Sequence, residues 1–352
     1  MDGRAFRGYL RRMEHDRRGP ALPAARGPVS AAVAGYLRGA GPPPRVEDVA
    51  GARAYGDDLQ LALYLCYELH YRGFADTDRD HEWDPDLLRV RAAMEQRFLA
   101  ALYADTPGHT GLDDALAELL VEPVRGTGVS HYLRDEGELW QLREYAAQRS
   151  LYHLKEADPH AWVLPRLWGR AKAAMAAVEF DEYGGGRAER VHARLFADLM
   201  HDLGLDTTYG RYLDAASAEA LATVNLMSLF GLHRELRGAL VGHFAAVEIT
   251  SSPGSRRLAE AMRRTGAGPA AEFFYDEHVE ADAVHEQVVR HEVIAGLLEE
   301  EPQLAADVTF GIDATGHLED RFGGRLLADW RAGRSSLRVP LDAQTEHIAR
   351  IS

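Results

Sequence analysis

The sequence has little cysteine: Cys66 is the single one among 352 residues. One thiol cannot build an internal disulfide framework, so the composition excludes the disulfide-stapled secreted class and favours a reducing, cytoplasmic environment. Cys66 lies in the apolar run LALYLCYELHY, and this setting predicts a buried, chemically inert thiol rather than a nucleophile.

Long apolar runs are also missing, since no stretch approaches the roughly 20 uninterrupted apolar residues that a membrane-spanning helix needs. The opening residues, MDGRAFRGYLRRMEHDRRGP, carry arginines with no apolar core behind them and do not resemble a secretory signal. The net charge of -15 argues against general binding to nucleic acid or to a membrane surface. We therefore expect neither among the partners of this chain.

Alternation of apolar and polar residues at period two is not found, nor is the punctuation of strand, turn and strand. Apolar residues instead recur at helical spacing from Val46 onward, so we predict an all-α bundle around one core. Predicted helices cover residues 6–13, 29–37, 57–71, 85–104, 112–121, 136–156, 164–183, 188–203, 208–213, 216–230, 234–249, 254–265, 269–300 and 302–330.

Composition divides the chain into four predicted regions. Residues 1–45 are basic and rich in Gly, Pro and Ala, and are predicted to be an N-terminal extension. Residues 46–130 form an auxiliary helical region, 131–332 the core, and 333–352 a tail. Exposed apolar faces on the first helical block would need cover, which predicts a second copy of the chain as partner, that is, a homodimer.

Chemistry concentrates in the stretch FFYDEHVEADAVHEQVVRHE, which contains His278, Asp282 and His285. A helix advances about 100° per residue, so these offsets of four and three fall within an arc of about 60°. Two imidazoles and a carboxylate on one face suit iron, manganese or zinc. A solvated polar face with scattered histidines is the alternative reading of this stretch.

A second set lies upstream, where Glu182 and His192 flank three consecutive glycines in DEYGGGRAERVH. On one straight helix these two side chains would lie about 15 Å apart along the axis and about 80° apart around it, too far to share a metal site. Each glycine costs about 1 kcal/mol of helix stability relative to alanine, so the run is expected to break the helix and let them converge. A plain interhelical turn is the alternative.

Glu156 is the third element, because it is placed at the end of a predicted helix where the helix dipole disfavours a carboxylate. That placement suggests a compensating cation, although chance explains it as well. The candidates carry three carboxylates and three imidazoles, which favours a dinuclear iron or manganese site over a single zinc. They are Glu156, Glu182, His192, His278, Asp282 and His285.

The three motifs KEADPH, DEYGGG followed by His192, and His278 with Asp282 and His285 closely resemble those of the haem-oxygenase-like di-iron oxidases, the iron-containing redox enzymes. The resemblance covers about residues 134–330. It implies a haem-oxygenase-like bundle of about seven core helices without haem, and two irons bound by the six candidates, which would serve as both metal ligands and catalytic residues. It further implies O₂ as co-substrate, an external electron donor and a redox partner that delivers the electrons.

The resemblance also implies a reaction: a peroxo-diferric intermediate that N-oxygenates a small amine- or guanidine-like molecule in specialised metabolism. A second subgroup implies oxidative C–C cleavage or desaturation of an amino acid or fatty acid, and the six ligands match in both. A third hypothesis is a haem-oxygenase-like scaffold without metal. Two further residues are singled out: His160 is predicted to hydrogen-bond locally rather than bind iron, and Glu248, a carboxylate on an apolar helix, is a candidate seventh metal contact.

Overall fold

A computed structural model describes residues 19–106, 108–122 and 126–341 of the chain. Within these ranges the regular structure is helical and no β-strand occurs, which confirms the all-α prediction. They divide into two compact units. One holds the described part of Met1–Ala101 with Thr208–Asp214, and the other the described parts of Leu102–Thr207 and Ala215–Ser352. The helix predicted at 6–13 and the last part of the tail lie outside the described residues.

The first unit is organised around one helix that is buried on almost every face. Its helices are α1 (Pro28–Leu37), α2 (Asp57–Glu68) and the greater part of α3 (Pro85–Asp105). Residues Leu59 to Glu68 of α2 are all buried, because this segment is apolar on most of its surface. Cys66 is among them, as predicted, and burial raises the pKa of its thiol to about 12. The helix predicted at 208–213 is wrong: Gly210, at φ 72°, interrupts a series of turns.

The second unit contains the remaining helices. They are α4 (Leu112–Leu119), α5 (Val129–Asp135), α6 (Leu139–His153), α7 (Asp158–Ala161), α8 (Gly169–Glu182), α9 (His192–Asp202), α10 (Ala218–Leu232), α11 (Arg237–Thr265), α12 (Pro269–Val288), α13 (Ala295–Glu300) and α14 (Ala305–Arg331). A π-helical segment, Val289–Ile294, joins α12 to α13, so the predicted helix at 269–300 is continuous but widened there.

Helix α11 is the centre of this unit and packs against α5, α12 and α14. Its crossing with α14 is close: a Cβ added at Gly242 would lie 1.9 Å from the Val308 carbonyl oxygen, and one at Gly311 would lie 2.0 Å from that of Ala239. These glycines allow the two backbones to touch. None of the described helices combines the length and the apolar character that crossing a membrane requires.

The predicted break at Ser251-Ser252-Pro253 is wrong, because α11 runs through Pro253 without ending. A proline inside a helix removes one backbone hydrogen bond and costs about 3 kcal/mol. The residues beyond it, including Leu258 and Met262, are buried against neighbouring helices, and this burial outweighs the local cost. Tertiary packing therefore overrides the local signal here.

Candidate metal centre

Helix α12 presents His278, Asp282 and His285 from one buried face, while Val284 on the opposite face is 61% exposed. The predicted helical offsets therefore place the three side chains as expected. The Nδ1–H of His278 donates to the Phe274 carbonyl oxygen at 2.7 Å, which leaves its Nε2 lone pair facing the interior. A histidine held in this way is prepared to bind a metal.

Glu156 lies just beyond α6, which ends at His153 rather than continuing to residue 156 as predicted. The chain turns sharply after Glu156, since Ala157 adopts a left-handed conformation with φ 73°. His153 reaches forward by one turn, and its Nδ1 lies 2.8 Å from Glu156 Oε1. Burial would raise the pKa of Glu156, but the charge and hydrogen bond of His153 outweigh it and lower the pKa to about 2.

The triple glycine breaks the helix, as predicted, and all three glycines have positive φ. Glu182 is the last residue of α8, and His192 opens α9 after the turn. His192 Nδ1 lies 2.7 Å from Glu182 Oε2. Gly184 is indispensable to this geometry, because a Cβ there would lie 2.7 Å from the Val191 backbone nitrogen. The helices predicted at 164–183 and 188–203 begin later, at Gly169 and His192, after short 3₁₀ turns.

The structure brings all six predicted residues together, in two adjacent groups. In the first group, ligand atoms of Glu156, His192 and His278 lie within 4.8 Å of one another. The Oε2 of Glu156 is 4.0 Å from Nε2 of His278, about twice a metal–ligand bond of roughly 2.1 Å. The gap between the two atoms therefore fits one metal ion.

The second group joins Glu182, Asp282 and His285 with Glu248 of α11, again within 4.8 Å. Nδ1 of His285 lies 3.1 Å from Glu248 Oε2, 3.6 Å from Glu182 Oε1 and 3.7 Å from Asp282 Oδ1. The isolated carboxylate on an apolar helix was the sequence signal for Glu248. The other three members of this group, Glu182, Asp282 and His285, are residues that the sequence motifs predicted.

The two groups contain buried polar atoms that make no hydrogen bond. They are Glu156 Oε2, His278 Nε2 and Asp282 Oδ2. An unsatisfied buried donor or acceptor costs about 1–3 kcal/mol, so several in one place require an explanation. Carboxylate oxygen and imidazole nitrogen are ligands that iron accepts, and the buried clusters fit a di-iron site.

The electrostatics of the groups are those of a site lacking positive charge. Burial lowers the pKa of His192, but Glu182, Glu156 and Asp282 outweigh it and raise the pKa to about 9. Burial likewise lowers the pKa of His285, but Glu248, Glu182 and Asp282 outweigh it and raise this pKa to about 9. Burial raises the pKa of Glu248 to about 8, helped by Asp282 and Glu182. Metal binding would displace the protons from these histidines, because only the neutral imidazole binds a metal.

Two acidic residues beside the groups escaped the sequence analysis. Glu179 is buried one helical turn before Glu182, and neither of its carboxylate oxygens makes a hydrogen bond. Burial, with Glu182 and Glu248 nearby, raises its pKa to about 9. Asp181 lies with Oδ2 3.5 Å from Nε2 of His285. The offset of three from Glu182 was the available signal for Glu179.

A cavity of about 660 Å³ opens beside the first group. Its wall next to the candidate ligands is formed by His278, His153, Tyr152, Phe274 and Tyr275. Arg149 and Glu319 line another part of the wall and form a double hydrogen bond, at 2.8 and 2.5 Å. This pair joins positions far apart in the chain, so no local pattern indicated it.

Comparison with known proteins agrees with this centre. A segment of 146 residues is 26% identical to a nitrosourea synthase of Streptomyces achromogenes subsp. streptozoticus, covering 42% of this chain and 31% of that protein. The chain thus aligns with about a third of the length of the curated relative. The model of the iron-containing redox enzymes matches residues 143–320, just over half of the chain, and this range contains every residue of both ligand groups. With its all-α, haem-oxygenase-like fold, the chain belongs to the iron-containing redox enzyme family.

Proposed function

We propose that the protein is an O₂-dependent di-iron oxygenase that transfers oxygen to a nitrogen of a small amine- or guanidine-like molecule. The observation that carries the proposal is the pair of buried ligand groups, Glu156 with His192 and His278, and Glu182 with Glu248, Asp282 and His285, beside one cavity. Bound iron would supply the redox chemistry with dioxygen. An external electron donor would provide the two electrons that a single oxygen transfer requires.

The protein's own residues would bind and orient the substrate and shield it from water. His278 lies in both the first ligand group and the cavity wall, so a substrate in the cavity would reach the edge of the centre. Phe274 and Tyr275, both buried, would limit access of water on that side. Arg149 and Glu319 offer a charged pair elsewhere on the wall, suited to the polar end of a small molecule.

The relative supports nitrogen as the site of oxidation, because its name states that it makes a nitrosourea. The cavity volume lies within the range of about 300–1,000 Å³ that is usual for small-molecule sites. We propose in addition that the reaction belongs to specialised metabolism and that a redox partner delivers the electrons.

The test is anaerobic loading of the purified protein with Fe(II), followed by exposure to O₂ with a panel of amines and guanidines. We expect two irons per chain, O₂ consumption that depends on substrate, and products heavier by one oxygen on nitrogen. In the variant His285→Ala we expect O₂ consumption to be lost. His291→Ala is its matched control, since His291 is exposed, lies six residues further on and belongs to neither group.

Each contrary result has a distinct meaning. Failure to take up iron, with unchanged O₂ consumption, would overturn the proposal and favour a scaffold without metal. Products that have lost carbon or gained a double bond would replace N-oxygenation by oxidative C–C cleavage or desaturation.

A further inference from the structure

A buried series of hydrogen bonds links Tyr152 to Thr315 through His160 and His243. The Tyr152 hydroxyl lies 3.4 Å from Nδ1 of His160, and Nε2 of His160 lies 3.1 Å from Nε2 of His243. Nδ1 of His243 lies 2.8 Å from Oγ1 of Thr315. All four side chains are buried, and the proposed metal chemistry uses none of them.

The donor and acceptor of every hydrogen bond in this series follow from the hydrogen bonds of Thr315. The Thr315 hydroxyl donates its one proton to the Gly311 carbonyl oxygen at 2.7 Å, because a carbonyl only accepts. Thr315 must therefore accept from Nδ1–H of His243, which leaves Nε2 of His243 as an acceptor. It follows that His160 donates from Nε2 and accepts at Nδ1 from the Tyr152 hydroxyl.

Both imidazoles are neutral at rest. Burial lowers the pKa of His243 to about 4, and burial together with His243 lowers that of His160 well below its ordinary value. Burial and the carboxylate of Glu156 raise the pKa of Tyr152 well above its ordinary value. The phenol of Tyr152 consequently keeps its proton at ordinary pH. Nδ1 of His160 is placed to accept that proton when the phenol is oxidised.

Tyr152 is also close to the first ligand group. Its ring lies 5.1 Å from that of His153, centroid to centroid, and His153 is hydrogen-bonded to Glu156. Tyr152 and His278 line the same cavity. Tyr152 therefore contacts His153, which leads to the ligand group, and His160, which can accept its phenolic proton.

We propose that Tyr152 is a one-electron relay of the iron centre, and that its phenolic proton moves to His160 as the electron leaves. This inference rests on the proposed function, because the electron acceptor would be the iron centre after its reaction with dioxygen. The O–H bond of Tyr152 breaks, an N–H bond forms at Nδ1 of His160, and His160 passes its Nε2 proton to Nε2 of His243. The products are a neutral tyrosyl radical and an imidazolium on His243.

The surroundings of His243 can hold that charge. The carboxylate of Glu319 is the charged group whose attraction raises the affinity of His243 for a proton. The direct neighbours of the imidazole in the chain are His160 and the Thr315 hydroxyl, both uncharged. Glu319 is also hydrogen-bonded to Arg149, so the relay ends beside an ion pair whose negative member attracts the proton on His243.

The test is freeze-quench electron paramagnetic resonance of Fe(II)-loaded protein mixed with O₂. We expect a transient tyrosyl signal that narrows when the wild-type protein carries ring-deuterated tyrosine, a readout that leaves the fold untouched. Tyr152→Phe should abolish the signal while two irons still bind. Tyr275→Phe is the matched control, because Tyr275 lines the same cavity but lies outside the hydrogen-bonded chain, and it should keep the signal.

His160→Gln should slow radical formation by about tenfold or more, since the proton loses its acceptor. A signal that persists in Tyr152→Phe, or none in protein that binds two irons and consumes O₂, would overturn the relay while leaving the proposed function standing. Failure of the wild-type protein to bind iron would instead overturn the proposed function, and the relay with it.

Discussion

Two buried carboxylate sites in the second unit behave in opposite ways. Glu144 accepts hydrogen bonds from the indole of Trp330 at 3.0 Å, from the Ser336 nitrogen and hydroxyl at 2.8 and 2.7 Å, and from the Ser335 hydroxyl. In the ligand groups, Glu156 Oε2 and Asp282 Oδ2 accept no hydrogen bond. Neither carboxylate oxygen of the neighbouring Glu179 accepts one either. A satisfied buried carboxylate is explained by its hydrogen bonds within the fold, whereas unsatisfied ones need another explanation, which a bound metal would provide.

The largest effect should come from the unsatisfied site. His285→Ala removes one proposed metal ligand and the hydrogen bond to Glu248, so we expect O₂ consumption to fall on the order of a hundredfold or more. Iron uptake should fall by at least one ion per chain, with helical content nearly unchanged in circular dichroism. Unfolding of the variant would show that His285 is structural instead.

Glu144→Leu should do the reverse. It leaves the Trp330 indole and the Ser336 nitrogen without acceptors, which predicts a loss of about 3 kcal/mol in the free energy of unfolding. Urea denaturation measures this loss, and iron analysis should still find the wild-type stoichiometry. If the variant lost iron but not stability, the contrast between the two sites would disappear.

The glycine turn offers a matched pair of substitutions. Gly184→Ala adds a Cβ that meets backbone atoms at 2.7 Å as well as a strained φ, so we expect a loss of about 2 kcal/mol together with weaker iron binding. Gly186→Ala has strain but no close contact, its nearest atom being 3.8 Å away, which predicts about 1 kcal/mol. Equal losses in both variants would mean that the tight approach of residue 184 is unimportant.

The smallest effect should be a pH dependence of stability from His243. In the unfolded chain its imidazole has a pKa of 6.5, and in the folded protein of about 4. As pH falls below 6.5 the unfolded state binds a proton that the folded state does not, so stability decreases, by about 1 kcal/mol at pH 5.5. Thermal unfolding of metal-free protein from pH 7.5 to 5.5 should show a flatter profile in His243→Gln, and an unchanged slope would contradict this account.

The sequence predicted the helices that have clear periodicity, such as α2, α3 and α10, close to their bounds. It failed at Pro253, where burial of the following turns outweighs the proline, and at residues 208–213, where Gly210 turns the chain. At Pro253 the deciding contribution came from tertiary packing, whereas at Gly210 it was a local signal that the helix prediction overlooked.

Spacing alone placed His278, Asp282 and His285 on one face, because helix geometry is fixed by the chain itself. The triple glycine likewise indicated that Glu182 and His192 converge. Only the tertiary structure decided how the six residues divide into two groups and that Glu248 joins one of them. It alone joined Tyr152 to His160 and His243, since such contacts depend on how distant helices cross, which no local pattern encodes.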